Sequence, residues 1–193
     1  MSFDINQFRS QMTGDGARPN LFEVIMPFPT IARLNGTANA GAPEPKLTFM
    51  CRTSQLPGST IGSVPVNYFG RELKFAGNRT VPEWTITVIN DEDFLVRNTI
   101  ENWMNSINSS RTNIRVSNGL SPLSYTTDVL VNQHGKADNG GFQGPIIKQY
   151  KGIGLFPIDL SPIDLDWGAN DTIEEFSVTF AVQWWEDTRN NIL

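Results

Sequence analysis

The sequence predicts an antiparallel β-barrel or β-sandwich with one flanking amphipathic helix, and three stretches predict it. In EEFSVTFAVQWWE, Glu174–Glu186, the even positions Phe176, Val178, Phe180, Val182 and Trp184 are apolar, and Ser177, Thr179 and Gln183 stand between them. Trp84, Ile86 and Val88 alternate with Thr85 and Thr87 in the same way, the pattern of a half-buried strand. The period then changes: Val96, Ile100, Trp103 or Met104, and Ile107 form one helical stripe. The 193 residues suit a single domain that buries about 70% of its unfolded surface without disulfide staples.

The other elements follow in order. Ile5–Met12 predicts a short helix, ended by the turn residues GDGARPN, and LFEVIMPF (Leu21–Phe28) is the first strand. Pro29–Pro45, rich in Thr, Asn, Ala, Gly and Pro, has no apolar period and reads as a long exposed loop or irregular hairpin. LTFMCRTSQLPG (Leu47–Gly58) offers a second strand closing on a Pro-Gly turn. Ile61–Phe75 predicts two strands joined by a bend, with Pro65 confining its run to an edge or a bulge. SSRTNIRVSNGLSPLS (Ser109–Ser124) is a polar linker with room for a short strand, and DVLVNQH (Asp128–His134) is a strand. KADNGGFQGP (Lys136–Pro145) is a turn, and IIKQYKGIGLFP (Ile146–Pro157) is a longer strand whose alternation Gly152 and Gly154 interrupt.

Composition excludes several functions. A formal charge of −5 and a pI near 4.9 argue against a basic groove that holds nucleic acid by phosphate neutralisation. The single cysteine, Cys51, has no partner for an internal disulfide and reads as a small apolar strand residue. The start, MSFDINQFRSQM, lacks the pattern of a signal peptide, and no run approaches the roughly 18 apolar residues that span a bilayer. The expectation is a cytosolic product with no membrane partner.

Chemistry-bearing residues are sparse. His134, the lone histidine, sits beside a glycine-rich turn and reads as solvated or locally hydrogen-bonded. There is no nucleophile elbow, and GIGLF lacks the lysine and third glycine of a phosphate loop. The switch of period falls on Asn90-Asp91-Glu92-Asp93, where Asn90 or Asp91 is expected to cap the first helical turn and the added carboxylates to meet the positive end of its dipole. A calcium loop would need a glycine bend that this run lacks. No cofactor, metal or catalytic residue is therefore expected. Between Lys151 and Arg189 the chain carries acids and no Lys or Arg, either a solvated acidic face or a surface that repels polyanions. Trp84, Trp103, Trp167, Trp184 and Trp185 leave a carbohydrate-binding β-sandwich as a distant alternative.

ARPNLFEV, FAGNRTVPEWTITVINDEDF with its following Trp-containing helix, and KGIGLFPIDLSPIDLDWGANDTIEEFSVTFAVQWWE occur in an order that closely resembles the tail tube proteins of contractile-tailed bacteriophages. The resemblance implies a non-enzymatic, self-assembling structural subunit of the virion tail, assembled in the host cytoplasm. It implies homohexameric rings stacked into a tube, with tail sheath, tape-measure and baseplate proteins as partners. Double-stranded DNA would pass through without sequence-specific binding. A baseplate tube initiator or a phage-derived contractile injection tube is the near alternative. By the same resemblance Leu56–Asn78 is a hairpin reaching neighbouring subunits, with Tyr68, Phe69, Arg71, Leu73 and Phe75 as contacts. Asp159, Asp164, Asp166, Asp171, Glu174 and Glu175 become candidates for lining the bore. Residues 1–193 form one tube domain, with extended loops around 29–45 and 116–144.

Overall fold

The computed structural model describes residues 4–12, 16–33, 43–115, 121–136 and 144–188. Its elements are α1 (Ile5–Gln11), β1 (Phe22–Ile25), a 3₁₀ turn (Thr30–Ala32), α2 (Pro43–Met50), β2 (Cys51–Thr53), β3 (Thr60–Tyr68) and β4 (Arg71–Thr80). They continue with β5 (Trp84–Ile89), α3 (Leu95–Ile107), α4 (Pro122–Tyr125), β6 (Thr127–His134), β7 (Ile146–Leu160), β8 (Glu175–Ala181) and β9 (Trp184–Asp187). Every strand pairing is antiparallel.

One sheet, ordered β1-β6-β7-β8-β5-β2, wraps into an incomplete barrel, and β3 and β4 form a separate two-stranded sheet. The 15-residue β7 joins the halves: its first part pairs with β6 and β9, its last part with β8. At the changeover a Cβ on Gly152 would lie 2.8 Å from Val129 Cγ1 and 2.9 Å from the Trp185 ring. Only glycine lets the strands approach that closely.

Alternation placed the core correctly in β5 and β8. Trp84, Ile86 and Val88 of β5 and Phe176, Val178 and Phe180 of β8 point inward and meet Val24, Val129, Val131 and Leu155. The α3 stripe closes this core with Val96, Ile100 and Trp103, whose indole N–H donates to the Tyr125 carbonyl at 2.7 Å. Asn102 and Ser106 tie the same helix to the 3₁₀ turn through the Ala32 and Ile31 carbonyls.

Two elements differ from the sequence expectation. The terminal block is two strands: the chain breaks at Val182-Gln183, and Gln183 N–H donates to the Ile153 carbonyl. The break shifts the phase, so Trp185 packs on the core beside Trp84, 5.7 Å between ring centroids, while Trp184 is half exposed. The second difference is LTFM, predicted as strand, which forms the last turn of α2. Pro43 occupies the first helical position, Glu44 lies at the positive end of the dipole, and Thr48 Oγ1 bonds back to the Glu44 carbonyl at 3.2 Å. Only Leu47 of this helix is fully buried. The expected loop at 29–45 therefore begins in a 3₁₀ turn and ends in α2; positions 34–42, like 116–120 and 137–143 of the second expected loop, lie outside the described residues.

Candidate subunit interface

The hairpin β3–β4 pairs with no other strand among the described residues. Its two-residue turn, Phe69-Gly70, has φ of 45° and 78°, the left-handed pair that matches the strand twist. Gly70 takes that angle freely; Phe69 does so at a cost. Register pairs Val64 with Phe75, Val66 with Leu73 and Tyr68 with Arg71, so these six share one face. The opposite face carries Ser63, Pro65, Asn67, Glu72, Lys74 and Ala76. Val64, Val66, Tyr68, Leu73 and Phe75 are 45% to 64% exposed, and Phe69 at the tip is 92% exposed. Among the described residues nothing covers this apolar face.

Four of the five residues expected to contact neighbours, Tyr68, Arg71, Leu73 and Phe75, thus lie on one face, and Phe69 caps it. Val64 and Val66 complete the face. Their signal was present as the alternation Val64-x-Val66-x-Tyr68.

A second surface is built from the outward residues of the main sheet. Thr85 and Thr179 hydroxyls meet at 3.0 Å, Thr87 and Ser177 at 3.4 Å, and Asp159 stands beside Thr179. The cross-strand pairing makes a wall of hydroxyls and carboxylates. Arg52 of β2 is ion-paired with Glu175 on this wall. Asp164, Asp166 and Asp171 stand exposed on the segment 161–174 that joins β7 to β8. There Leu165 and Ile173 are largely exposed and Trp167 is fully so. Glu174, the last residue of the segment, accepts from the Asn90 side-chain amide at 2.9 Å.

The Asn90–Asp93 corner is organised differently from the expected cap. Residue Phe94, in the left-handed region at φ 51°, occupies the cap position of α3, with no side-chain cap bond. Asn90 is turned to Glu174, and the Asp91 carboxylate accepts from Glu92 N–H at 2.9 Å. The carboxylate that does reach the helix start is Asp93, which accepts from Leu95 N–H at 2.9 Å. What Asn90 and Asp91 lack is position: the bend at Phe94 separates them from the first turn. Asp91 and Asp93 instead grip Lys46 of α2, Asp91 at 2.6 Å. Hydrogen bonding to Lys46 and then to the Glu92 and Leu95 N–H groups holds both carboxyls below the usual carboxylate range. This ion triad pins α2 to the β5–α3 joint. Lys46 stands 45 positions before Asp91, between a segment expected as loop up to Pro45 and one expected as strand from Leu47, so nothing local in the sequence joined it to these acids.

The residues weighed for chemistry are accounted for by packing. Cys51 is buried, and desolvation pushes its thiol up to about 12. His134 is buried rather than solvated: Nδ1 lies 2.9 Å from the Gly144 carbonyl and Nε2 3.6 Å from Glu23. Trp84 and Trp103 are core residues, each with its indole N–H bonded to a carbonyl. Among the described residues no three His, Cys, Asp or Glu side chains form a metal-holding group, and no helix is long and apolar enough to cross a membrane.

A sequence profile described as phage tail tube protein matches residues 17–187. The tail tube protein gp19 of Enterobacteria phage T4 is 32% identical over 178 residues, 92% of this chain and 96% of that one. The tail tube protein of Serratia phage KSP90 is 28% identical over 176 residues, 90% of each. Among solved structures, the sheath–tube complex of the PVC extracellular contractile injection system superposes with a TM-score of 0.55 at 13% identity, covering 96% of this chain and 98% of that one. The baseplate of the anti-feeding prophage gives 0.57 at 13% identity, covering 91% and 97%. At that identity the likeness is one of fold.

Proposed function

The chain belongs to the phage tail tube protein family, and from that premise we propose that copies of it close into hexameric rings that stack into the channel for genome delivery. It is a structural subunit of the virion tail. The observation that carries the proposal is the apolar face of β3–β4, which none of the other described residues covers. Burying what remains exposed on it would contribute roughly 1 kcal/mol per large side chain, about half of the value for full burial. The unpaired edges of β1 and β2 add backbone groups that a ring of identical copies satisfies.

The hydroxyl-and-acid face of β7, β8, β5 and β2 is the wall we assign to the bore, with Asp159 and Glu175 on it. Asp164, Asp166 and Asp171 stand at its end on the 161–174 segment, and Glu174 borders them. Carboxylates without free cations repel phosphate, so duplex DNA slides past and is not held. Sheath, tape-measure and baseplate proteins are the partners outside, within and below such a tube, and the subunit has no enzymatic role. The near identity of roles between tube and tube initiator is resolved in favour of the tube by the relatives at about a third identity, both gp19 tail tube proteins.

Negative-stain microscopy of purified protein, with and without baseplate nuclei, tests the assembly: hollow tubes of six-fold rings are expected, and a monomer at every concentration overturns it. Reversing each bore acid separately to Lys tests the wall. Tubes carrying Asp159→Lys should retain or slow the passing genome at low salt and release it as salt rises. Ejection at the unmodified rate for every such variant removes these acids from the bore.

A further inference from the structure

We infer that the indole of Trp167 in one copy plugs a pocket between the two edge strands of the barrel in the next copy of the same ring. The contact presupposes the tube reading above and is separate from the β3–β4 face.

Trp167 is fully exposed, and its indole N–H has no hydrogen-bond partner among the described residues. It is nonetheless held in place. The Asp166 carboxylate accepts from Gly168 N–H at 2.9 Å and the Asp166 carbonyl from Ala169 N–H at 3.2 Å, which makes a tight turn with Trp167 at its second position. Leu165, two residues before, is 83% exposed. Tryptophan is the side chain that most often anchors an interface by filling a pocket, and a backbone fixed beforehand lowers the ordering cost of doing so.

The pocket lies at the seam of the barrel. β1 and β2 are the two ends of the sheet order and do not pair with each other. Between them is an open depression of about 650 Å³. Pro19, Phe22 and Phe49 give it apolar faces, and Phe49 is 82% exposed there, a ring with nothing stacked on it. Ser54 also lines the pocket, and its hydroxyl is buried with no hydrogen-bond partner among the described residues. Buried polar groups ordinarily have one, and a hydroxyl can turn to accept from an indole N–H. The one acid of the lining, Glu23, is engaged with β6: it accepts from the Asn132 amide at 3.2 Å and lies 3.6 Å from His134 Nε2.

Charge and topology agree with this pairing. Ser161–Glu174 carries four acids and no cation. The pocket has Arg52 in its lining, and Arg18, next to Pro19 in the chain, is exposed with no ion pair among the described residues. β7 and β8, which the Trp167 segment joins, are the central pair of the order β1-β6-β7-β8-β5-β2, whereas the pocket lies between its two ends. The full exposure of Trp167 means that plug and pocket do not meet within one copy. A contact between two different patches is heterologous, and it closes into a ring when the rotation from copy to copy returns to the start. The same approach brings a neighbour against the unpaired edges of β1 and β2, and Asp164 and Asp171 then stand where the wall of one copy meets that of the next.

Two experiments test the docking. In tubes built from a Phe49→Cys/Trp167→Cys variant that also carries Cys51→Ala, mild oxidation should produce a ladder of covalent oligomers on denaturing gels that stops at the hexamer, because the contact closes within a ring. Tubes that microscopy finds intact but that yield only monomer overturn the docking and leave the tube reading standing. A ladder that runs past the hexamer places the contact between rings and overturns it as a contact within one. Absence of tubes from the unsubstituted protein overturns the tube reading itself. Should the cysteine variant not assemble, Trp167→Ala decides: the sedimenting tube fraction should fall at least tenfold while the melting temperature of the monomer is unchanged. A tube fraction equal to that of the unsubstituted protein, or a melting temperature that falls together with it, overturns the docking.

Discussion

Strand β5 and the hairpin β3–β4 are written in the same alternating code and end in opposite environments. Trp84, Ile86 and Val88 are at most 2% exposed, while Val64, Val66, Leu73 and Phe75 are about half exposed on an equally regular face. Both patterns demand burial. β5 satisfies the demand with β8 and α3 of its own chain, and the hairpin's face is left open by the described residues, which is why a neighbouring copy is proposed to cover it. Period two therefore states that a face will be covered and does not state by whom.

The largest expected effect breaks the first half of the contrast. Phe180→Ala, in the fully buried partner of Trp84, removes a ring packed against both Trp84 and Trp103. Unfolding by denaturant should show a loss of about 3–5 kcal/mol. A loss under about 1 kcal/mol, the range of surface substitutions, would place Phe180 outside the core.

The second variant inverts that result. Leu73→Ser with Phe75→Ser removes two half-exposed side chains, so the monomer's stability should change by less than about 1 kcal/mol, the range of surface substitutions. Tube formation, followed by sedimentation, should be lost. Equal losses of stability and assembly would show that the hairpin belongs to the intramolecular core after all.

The smallest effect concerns Lys46, where burial within the chain and charge meet. Asp91 and Asp93 have lowered carboxyls because Lys46 is bound to them, so their contribution is complete above the usual carboxylate range and fades as pH falls through the lowered values. Lys46→Met should reduce the melting temperature modestly at pH 7, and the gap to the unsubstituted protein should narrow below about pH 4. A gap that is the same at pH 3 and pH 7 argues against the triad. Calcium should leave the melting temperature of the unsubstituted protein unchanged, since Lys46 already occupies the two carboxylates.

Local and periodic features could be read from the residues alone. The inward set of β5 and β8, the α3 stripe from Val96 to Ile107, the burial of Cys51 and the bend between β3 and β4 were legible because each is fixed by side-chain alternation or by a turn residue a few positions away. Family membership was legible from motifs in order along most of the chain. The remaining features depend on residues far apart in the chain. Whether Asn90 and Asp91 cap α3 turned on a left-handed Phe94 and on Lys46 arriving from α2. Whether LTFM is strand or helix turned on Pro43 starting a turn that Leu47 could anchor against the core. Which of Trp184 and Trp185 packs inward turned on a break that lets β9 leave β8 and pair with β7. Alternation is a property of one strand, but register, phase and the choice of covering surface are properties of two segments, and their relative energy exists only once both are in place.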